Sequence, residues 1–215
     1  MVRTATRLCV VRHGETTWNA ERRLQGHLDV ELNENGLVQA EATGRALAGQ
    51  RFSAAYCSDL QRASMTASRI VAGTDVVVST HPGLRERHYG HFQGLTYAEA
   101  STRHPEEYAR FLDRDTAFAF SGGGESLIAF AARISDTLAD IVHHHAGEQL
   151  LVVTHGGVLD VIHRLATGKA LDSPRDFTIP NAALNWIAHE DGQWHLISWG
   201  DEGHLGSSLD ELANA

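Results

Sequence analysis

Two short apolar runs, far apart in the chain, each lead into a histidine followed by glycine. Residues 8–11 precede Arg12-His13-Gly14, and residues 150–153 precede Thr154-His155-Gly156. A short continuous apolar run bounded by polar residues is typical of a strand buried in a parallel sheet. Because ligands bind at the carboxyl ends of such strands in open α/β sheets, we expect both histidines at one ligand site.

The rest of the chain alternates between helical and extended patterns. Helical patterns cover residues 34–48, 96–101, 105–112, 125–145 and 157–167, and another helix runs from the Ser58 region to residue 72. Strand patterns cover residues 54–57 and 76–78, and residues 184–188 and 194–199 flank Asp191-Gly192, a hairpin turn signal. This order predicts one α/β domain over residues 1–215, a three-layer αβα sandwich with a mostly parallel central sheet and a C-terminal β-hairpin.

Local signals define some helix ends and faces. Asn33 is a typical N-cap for the helix at 34–48. Ser58 and Gln61 have the spacing of a capping box, which predicts the start of the next helix. The long helix at 125–145 carries an apolar stripe that should face the core, formed by Leu127, Phe130, Ile134, Leu138 and Ile141.

Charge and composition exclude several classes of partner. The chain has 215 residues and a formal net charge of −9, which argues against a nucleic-acid partner because that needs a basic face. An anionic ligand must therefore be held by a local cluster of cations. No apolar run approaches the ~18 residues of a membrane span, and no signal-peptide pattern precedes the first strand. Cys9 and Cys57 lie in apolar runs and predict core thiols, so we expect a cytoplasmic protein with no membrane partner.

The residues at the two strand ends suit a phosphate. Arg12, His13 and His155 would form a cationic hollow, and the glycines after His155 allow a ligand to approach the N-terminus of the next helix. Arg62, in the first turn of another helix, supplies a second guanidinium fork for phosphate oxygens. On this reasoning alone, the histidines could be nucleophile and phosphate ligand or merely satisfied polar residues at strand ends.

Five segments, in order, resemble the histidine phosphatase (phosphoglycerate mutase-like) superfamily. The first is Arg12-His13-Gly14-Glu15-Thr16 with Trp18-Asn19 and Gln25-Gly26 behind it. The others are Ser58-Asp59-Leu60-Gln61-Arg62-Ala63, Leu84-Arg85-Glu86-Arg87-His88-Tyr89-Gly90, Gly123-Gly124-Glu125-Ser126 and Val153-Thr154-His155-Gly156-Gly157. The resemblance covers nearly the whole chain.

The resemblance implies a role for each matching residue. His13 is the nucleophile that becomes phosphohistidine, and Glu86 is the proton donor to the leaving oxygen. Arg12, Arg62 and His155 hold the phosphoryl group. Further substrate contacts are expected from Asn19, Gln25, Gly26, His88, Tyr89 and Gly156. Apart from the resemblance, His91 is expected to flank the pocket together with His88. An ion pair of Glu86 with Arg85 or Arg87 is the structural alternative to its catalytic role.

No metal or other cofactor is expected. The predicted pocket supplies its own positive charge and lacks the carboxylate cluster that a magnesium or two-metal site needs. His143, His144 and His145 are consecutive on a helix and point in different directions, so they cannot chelate together.

Departures from the mutase pattern favour a phosphatase. The mutases of this superfamily place asparagine and lysine where this chain has Thr96-Tyr97, and an arginine pair where it has Asp113-Arg114-Asp115. The single lysine, Lys169, lies elsewhere. We therefore expect a phosphomonoesterase acting on a small-molecule phosphate ester. A bisphosphoglycerate-dependent phosphoglycerate mutase and a non-catalytic phospholigand-binding module are the alternatives. The edge strand of the terminal hairpin makes a homodimer a further expectation.

Overall fold

The fold is built on a six-stranded central sheet. The structure is a computed structural model, and it describes residues 5–210. The strands are β1 (Thr6–Arg12), β2 (Ala54–Cys57), β3 (Val78–Thr80), β4 (Gln149–Thr154), β5 (Leu184–Glu190) and β6 (Gln193–Asp201). Their order is β3-β2-β4-β1-β5-β6, with β1 to β4 parallel and β5 and β6 antiparallel to their neighbours. The predicted α/β class with a mostly parallel sheet is confirmed.

Helices cover both faces of this sheet. They are α1 (Thr17–Ala20), α2 (Glu34–Ala46), α3 (Gln61–Ile70), α4 (Tyr97–Arg103), α5 (Pro105–Leu112), α6 (Leu127–His144) and α7 (Gly156–Thr167). One core joins α6 and α7 to one face, and the predicted stripe of α6 is buried in it. A second core joins α3 and the end of α2 to the other face and contains both cysteines. Both thiols are free, and burial raises their pKa.

The pairing of β1 with β4 positions the site. Arg12 lies opposite Thr154 in the parallel register, so the two chains leave the sheet side by side. The backbone N–H of His13 then donates to the carbonyl of Thr154 at 2.8 Å. His13 and His155 therefore follow neighbouring strand ends, as the two apolar runs predict.

An aromatic subdomain packs beside this edge of the sheet. Its core combines residues from the segment between β3 and α6 with Leu24, and it includes Tyr89, Phe92, Phe111, Phe118 and Phe120. The rings of Phe92 and Phe120 meet edge-on with their centroids 4.9 Å apart. Tyr89 of this cluster follows Glu86 by three residues, so the cluster anchors the chain just after Glu86.

Several predicted boundaries need correction. The helix after β2 begins at Gln61, and its N-cap, Leu60, makes no side-chain cap bond. The predicted capping box of Ser58 and Gln61 is therefore wrong. The Asp29 carboxylate replaces it by accepting from the backbone N–H of Gln61 at 2.7 Å and from the side-chain amide at 3.0 Å. The third strand lies at Val78–Thr80, two residues later than predicted, and α1 forms in a segment predicted as loop.

The terminal hairpin forms as predicted. Asp191 and Gly192 both have positive φ, 50° and 79°, as a two-residue hairpin turn requires. In the described part of the sheet, β6 pairs only with β5, so its outer edge is open. Among residues 5–210, no helix has the length and hydropathy of a membrane span.

Candidate active site

The two histidines meet at the carboxyl edge of the sheet. Their ring centroids are 5.2 Å apart with the planes inclined at 61°, and both residues are buried. Nδ1 of His13 lies 2.7 Å from the carbonyl oxygen of Gly14, which can only accept, so Nδ1 carries the proton. In the neutral ring, Nε2 then keeps its lone pair. His13 is thus held in the tautomer of a nucleophile.

Arg62 fixes the tautomer of His155. Its Nε donates to Nδ1 of His155 at 3.2 Å, and its Nη2 and Nη1 donate to the carbonyls of Gly26 at 2.8 Å and Leu28 at 2.9 Å. Because Nδ1 of His155 accepts, the proton of the neutral ring must be on Nε2. That atom is buried and has no acceptor among the described residues, so a phosphoryl oxygen would satisfy it.

Arg12 supplies the second guanidinium. It ends β1, is 1 % exposed, and donates from Nη1 to the carbonyls of Ile179 at 2.8 Å and Leu209 at 3.2 Å. These carbonyls orient a guanidinium that also lines the cavity. Burial first, then the charges of Arg62 and Arg12, lower the pKa of His13 well below its ordinary value. Burial and Arg62 do the same for His155, so both imidazoles are neutral at pH 7.

Glu86 is held by two backbone donors. Oε1 accepts from the N–H of Arg87 at 2.8 Å, and Oε2 accepts from the N–H of Gly157, in the first turn of α7, at 3.0 Å. A Cβ at residue 157 would lie 2.4 Å from Oε1 of Glu86, so only glycine allows this approach. Arg85 instead forms an ion pair with Asp59 at 2.7 Å.

A cavity of about 1120 Å³ opens onto these groups. Eight residues expected at the site line it: Arg12, His13, Asn19, Gln25, Gly26, Arg62, Glu86 and Tyr89. Asn19 also accepts from the backbone N–H and hydroxyl of Thr16, which closes the cap of α1. His155 and Gly156 are not among the lining residues, because His155 is fully buried against His13 and Gly156 begins α7 directly behind it.

His88 and His91 do not line this cavity, contrary to expectation. The ring of His88 packs edge-on against His27 with centroids 4.8 Å apart, and its Nδ1 accepts from the N–H of Gly90 at 3.1 Å. His91 contacts the hydroxyl of Ser121. Both rings are therefore engaged in contacts outside the cavity.

Other parts of the cavity wall could not be predicted from the sequence. They come from residues 175–178, Trp199 and residues 209–210, and from Arg22 after α1. No local pattern signals these residues, because only the fold brings them to the cavity. Across the described chain, no three His, Cys, Asp or Glu side chains are grouped so that they could hold a metal ion.

Comparisons with known proteins agree on a family. Residues 8–202 match the model of the histidine phosphatase superfamily, branch 1. Phosphoglycerate mutase-like protein 4 of Arabidopsis thaliana is 44 % identical over 92 % of this chain and 86 % of its own length. The metal-independent phosphoserine phosphatase of the same plant is 41 % identical over 94 % of this chain and 84 % of its own.

A solved structure extends the likeness to the fold. Phosphoserine phosphatase from Entamoeba histolytica, in complex with 3-phosphoglyceric acid, aligns with a TM-score of 0.83 and 27 % identity. The alignment covers 93 % of this chain and 99 % of that one. The five sequence segments, the shared fold and the family match lead to one conclusion: this chain belongs to the histidine phosphatase superfamily and is a phosphatase.

Proposed function

We propose that this phosphatase hydrolyses small phosphomonoesters through a phosphohistidine at His13. The observation that carries the proposal is the tautomer of His13, whose Nδ1 is bonded to the carbonyl of Gly14 and whose Nε2 keeps the lone pair. Arg12 and Arg62 supply positive charge beside it, and phosphoryl transfer depends mainly on positioning and charge neutralisation.

The first step forms the covalent intermediate. Nε2 of His13 attacks phosphorus, an N–P bond forms, and the bond from phosphorus to the ester oxygen breaks. Glu86 gives its proton to that oxygen, so the product leaves as a neutral alcohol. Nε2–H of His155 and the two arginines bond the phosphoryl oxygens.

The second step regenerates the enzyme. The carboxylate of Glu86 takes a proton from water as the water oxygen attacks phosphorus. The N–P bond breaks, its electron pair returns to Nε2, and inorganic phosphate leaves. Glu86 is then protonated, as the next cycle needs.

The surroundings of the cavity support water, rather than a second phosphoester, as acceptor. Arg114 is 6 % exposed and bonds the carboxylate of Asp160 at 2.6 Å, so it is engaged in the core. Thr96 caps α4, and Lys169 pairs with Asp176. None of these three side chains supplies the basic clamp of a mutase. Each charge-assisted hydrogen bond that such a clamp would make is worth roughly 1.5–3 kcal/mol of binding free energy.

The acceptor can be tested directly. With 3-phosphoglycerate and catalytic bisphosphoglycerate, we expect release of inorganic phosphate to outrun formation of 2-phosphoglycerate, because Thr96, Arg114 and Lys169 supply no clamp that would hold a second phosphate for re-phosphorylation. Enzymatic assays of both products in one time course measure this. Rapid isomerisation with negligible phosphate release would instead favour the mutase.

We further propose a substrate with a carboxylate, and phosphoserine is the first candidate. Arg22 and Arg175 line the cavity in addition to the two arginines of the phosphate site. Arg22 has a left-handed backbone, with φ of 53°, which costs a non-glycine residue of the order of 1–2 kcal/mol and is typical of functional positions. The relative that is 41 % identical is named as a phosphoserine phosphatase.

Replacing Arg22 tests this substrate class. Arg22→Gln should raise KM for phosphoserine ~10-fold with little change in kcat, because the bond to the carboxylate that it removes acts on ground state and transition state alike. KM for ethyl phosphate, which has no carboxylate, should be unchanged. Arg51→Gln, an exposed arginine near the amino end of β2, is the control. A parallel rise for both substrates would argue against carboxylate binding by Arg22.

The homodimer remains a proposal that the open edge of β6 supports. Leu196 and Ile197 on this strand are 38 % and 48 % exposed, and such an edge suits strand pairing with a second copy.

A further inference from the structure

The loop that carries Glu86 is held by an arginine to which the reaction above gives no role. Arg133, on α6, donates from Nη1 to the carbonyls of Gly83 at 2.8 Å and Arg85 at 3.0 Å. Its Nη2 donates to the carbonyl of Glu86 at 3.1 Å. One guanidinium therefore binds three backbone carbonyls within four residues of the loop.

Glu125 binds both Arg133 and the part of the loop that follows Glu86. Its two carboxylate oxygens accept from Nε and Nη2 of Arg133, each at 2.8 Å. Oε2 also accepts from the backbone N–H of His88 at 2.8 Å, and the N–H of Glu125 donates to the carbonyl of His88 at 2.9 Å. The carbonyl of Glu125 accepts from Nε of Arg87 at 3.1 Å. The loop is thus fixed on both sides of Glu86.

These contacts assign a structural role to Glu125, which lies in the fourth sequence segment, Gly123-Gly124-Glu125-Ser126. Neither Glu125 nor Arg133 lines the cavity, so contact with the substrate does not explain them. Their side chains are only 21 % and 24 % exposed, and the guanidinium also binds the carbonyls of Gly83, Arg85 and Glu86. The pair is therefore tied to the loop that carries Glu86.

We propose that Glu125 and Arg133 form a positioning pair, which holds the carboxyl group of Glu86 where it can transfer its proton. The proposal rests on the proposed role of Glu86 as the acid. Proton transfer needs the carboxyl within hydrogen-bond reach of the ester oxygen, and a displacement of ~1 Å can cost ~10²-fold in rate. The pair acts through the backbone of residues 83–88 and never touches the substrate.

Single-turnover kinetics of Arg133→Gln test the proposal. We expect phosphorylation of His13 to slow ~10–100-fold with an alkyl phosphate and by less than ~3-fold with nitrophenyl phosphate, whose leaving group needs no proton. In a Glu86→Gln background the same substitution should add almost nothing, because the group that it positions is already absent. Arg69→Gln, which removes an exposed pair with Glu41 of similar length, should change neither rate.

Two further variants keep the test decisive if Arg133→Gln does not fold. Arg133→Lys retains the charge beside Glu125, but its three N–H donors cannot replace the five bonds that Arg133 makes to Glu125 and the three carbonyls. Glu125→Gln retains an acceptor for His88. Both should show the same substrate-selective slowing in smaller measure, with thermal unfolding close to that of the unaltered protein.

The outcomes separate this proposal from the proposed mechanism. Equal slowing of both substrates by the Arg133 variants, or a full additional slowing in the Glu86→Gln background, would overturn the positioning role. If Glu86→Gln alone lacked selectivity for the leaving group, the assignment of Glu86 as acid would fail first.

Discussion

Replacing His13 with alanine should abolish both turnover and covalent phosphorylation, with a decrease of at least ~10⁴-fold in kcat, as when the nucleophile of a catalytic unit is removed. The reason is that the tautomer set by the Gly14 carbonyl leaves Nε2 of His13 with the lone pair of a nucleophile, near the positive charges of Arg62 and Arg12. In the unaltered protein, acid quenching would hydrolyse a phosphohistidine, so the reaction should be stopped in alkali. Peptide mapping should then place a base-stable, acid-labile phosphate on the peptide with His13.

The controls for this experiment come from the other histidines. His195→Ala, on the exposed face of β6, should leave label and activity unchanged. His155→Ala should slow labelling without preventing it, because in the proposed mechanism Nε2 of His155 bonds a phosphoryl oxygen but forms no covalent bond. Label on a serine, or undiminished activity of His13→Ala, would contradict the mechanism.

Most of the fold could be predicted because its signals are local. The strand runs before His13 and His155, the buried stripe of α6 and the Asp191-Gly192 turn are each set by neighbouring residues, and all three predictions are confirmed. The start of α3 could not be predicted, because its cap is Asp29, which is brought there by the tertiary fold.

The candidate site likewise has one part that could be predicted from the sequence and one part that depends on the tertiary fold. Arg12 ends a strand, His13 directly follows it and Arg62 lies in the first turn of a helix, and all three line the cavity at this edge of the sheet. The orientation of His88 depends on a bond to Gly90 and a contact with His27, which no spacing reveals. Arg114 likewise pairs with Asp160, 46 residues away, so its burial is a property of the folded chain.

Glu86→Gln should separate two kinds of leaving group. An alkoxide needs a proton as it leaves, whereas nitrophenolate leaves readily as an anion. We expect phosphorylation of His13 to slow ~10²–10⁴-fold with alkyl phosphates, the range for general acid catalysis, and much less with nitrophenyl phosphate. Dephosphorylation should slow equally for both, because the intermediate is the same. Rapid-quench single-turnover experiments are therefore needed to time the first step alone.

The geometry of Glu86 shows how this result must be interpreted. Both carboxyl oxygens accept backbone N–H groups, from Arg87 and Gly157, and an amide can replace only one of these acceptors. The glutamine side chain therefore loses one of these two hydrogen bonds and is held less firmly. This should slow phosphorylation of His13 by both substrates to a similar degree. The ratio of the two rate decreases cancels that common part and isolates proton donation. A ratio near one would reduce Glu86 to a residue that ties its loop to α7, and the proton of the leaving group would then have to come from the substrate or from water.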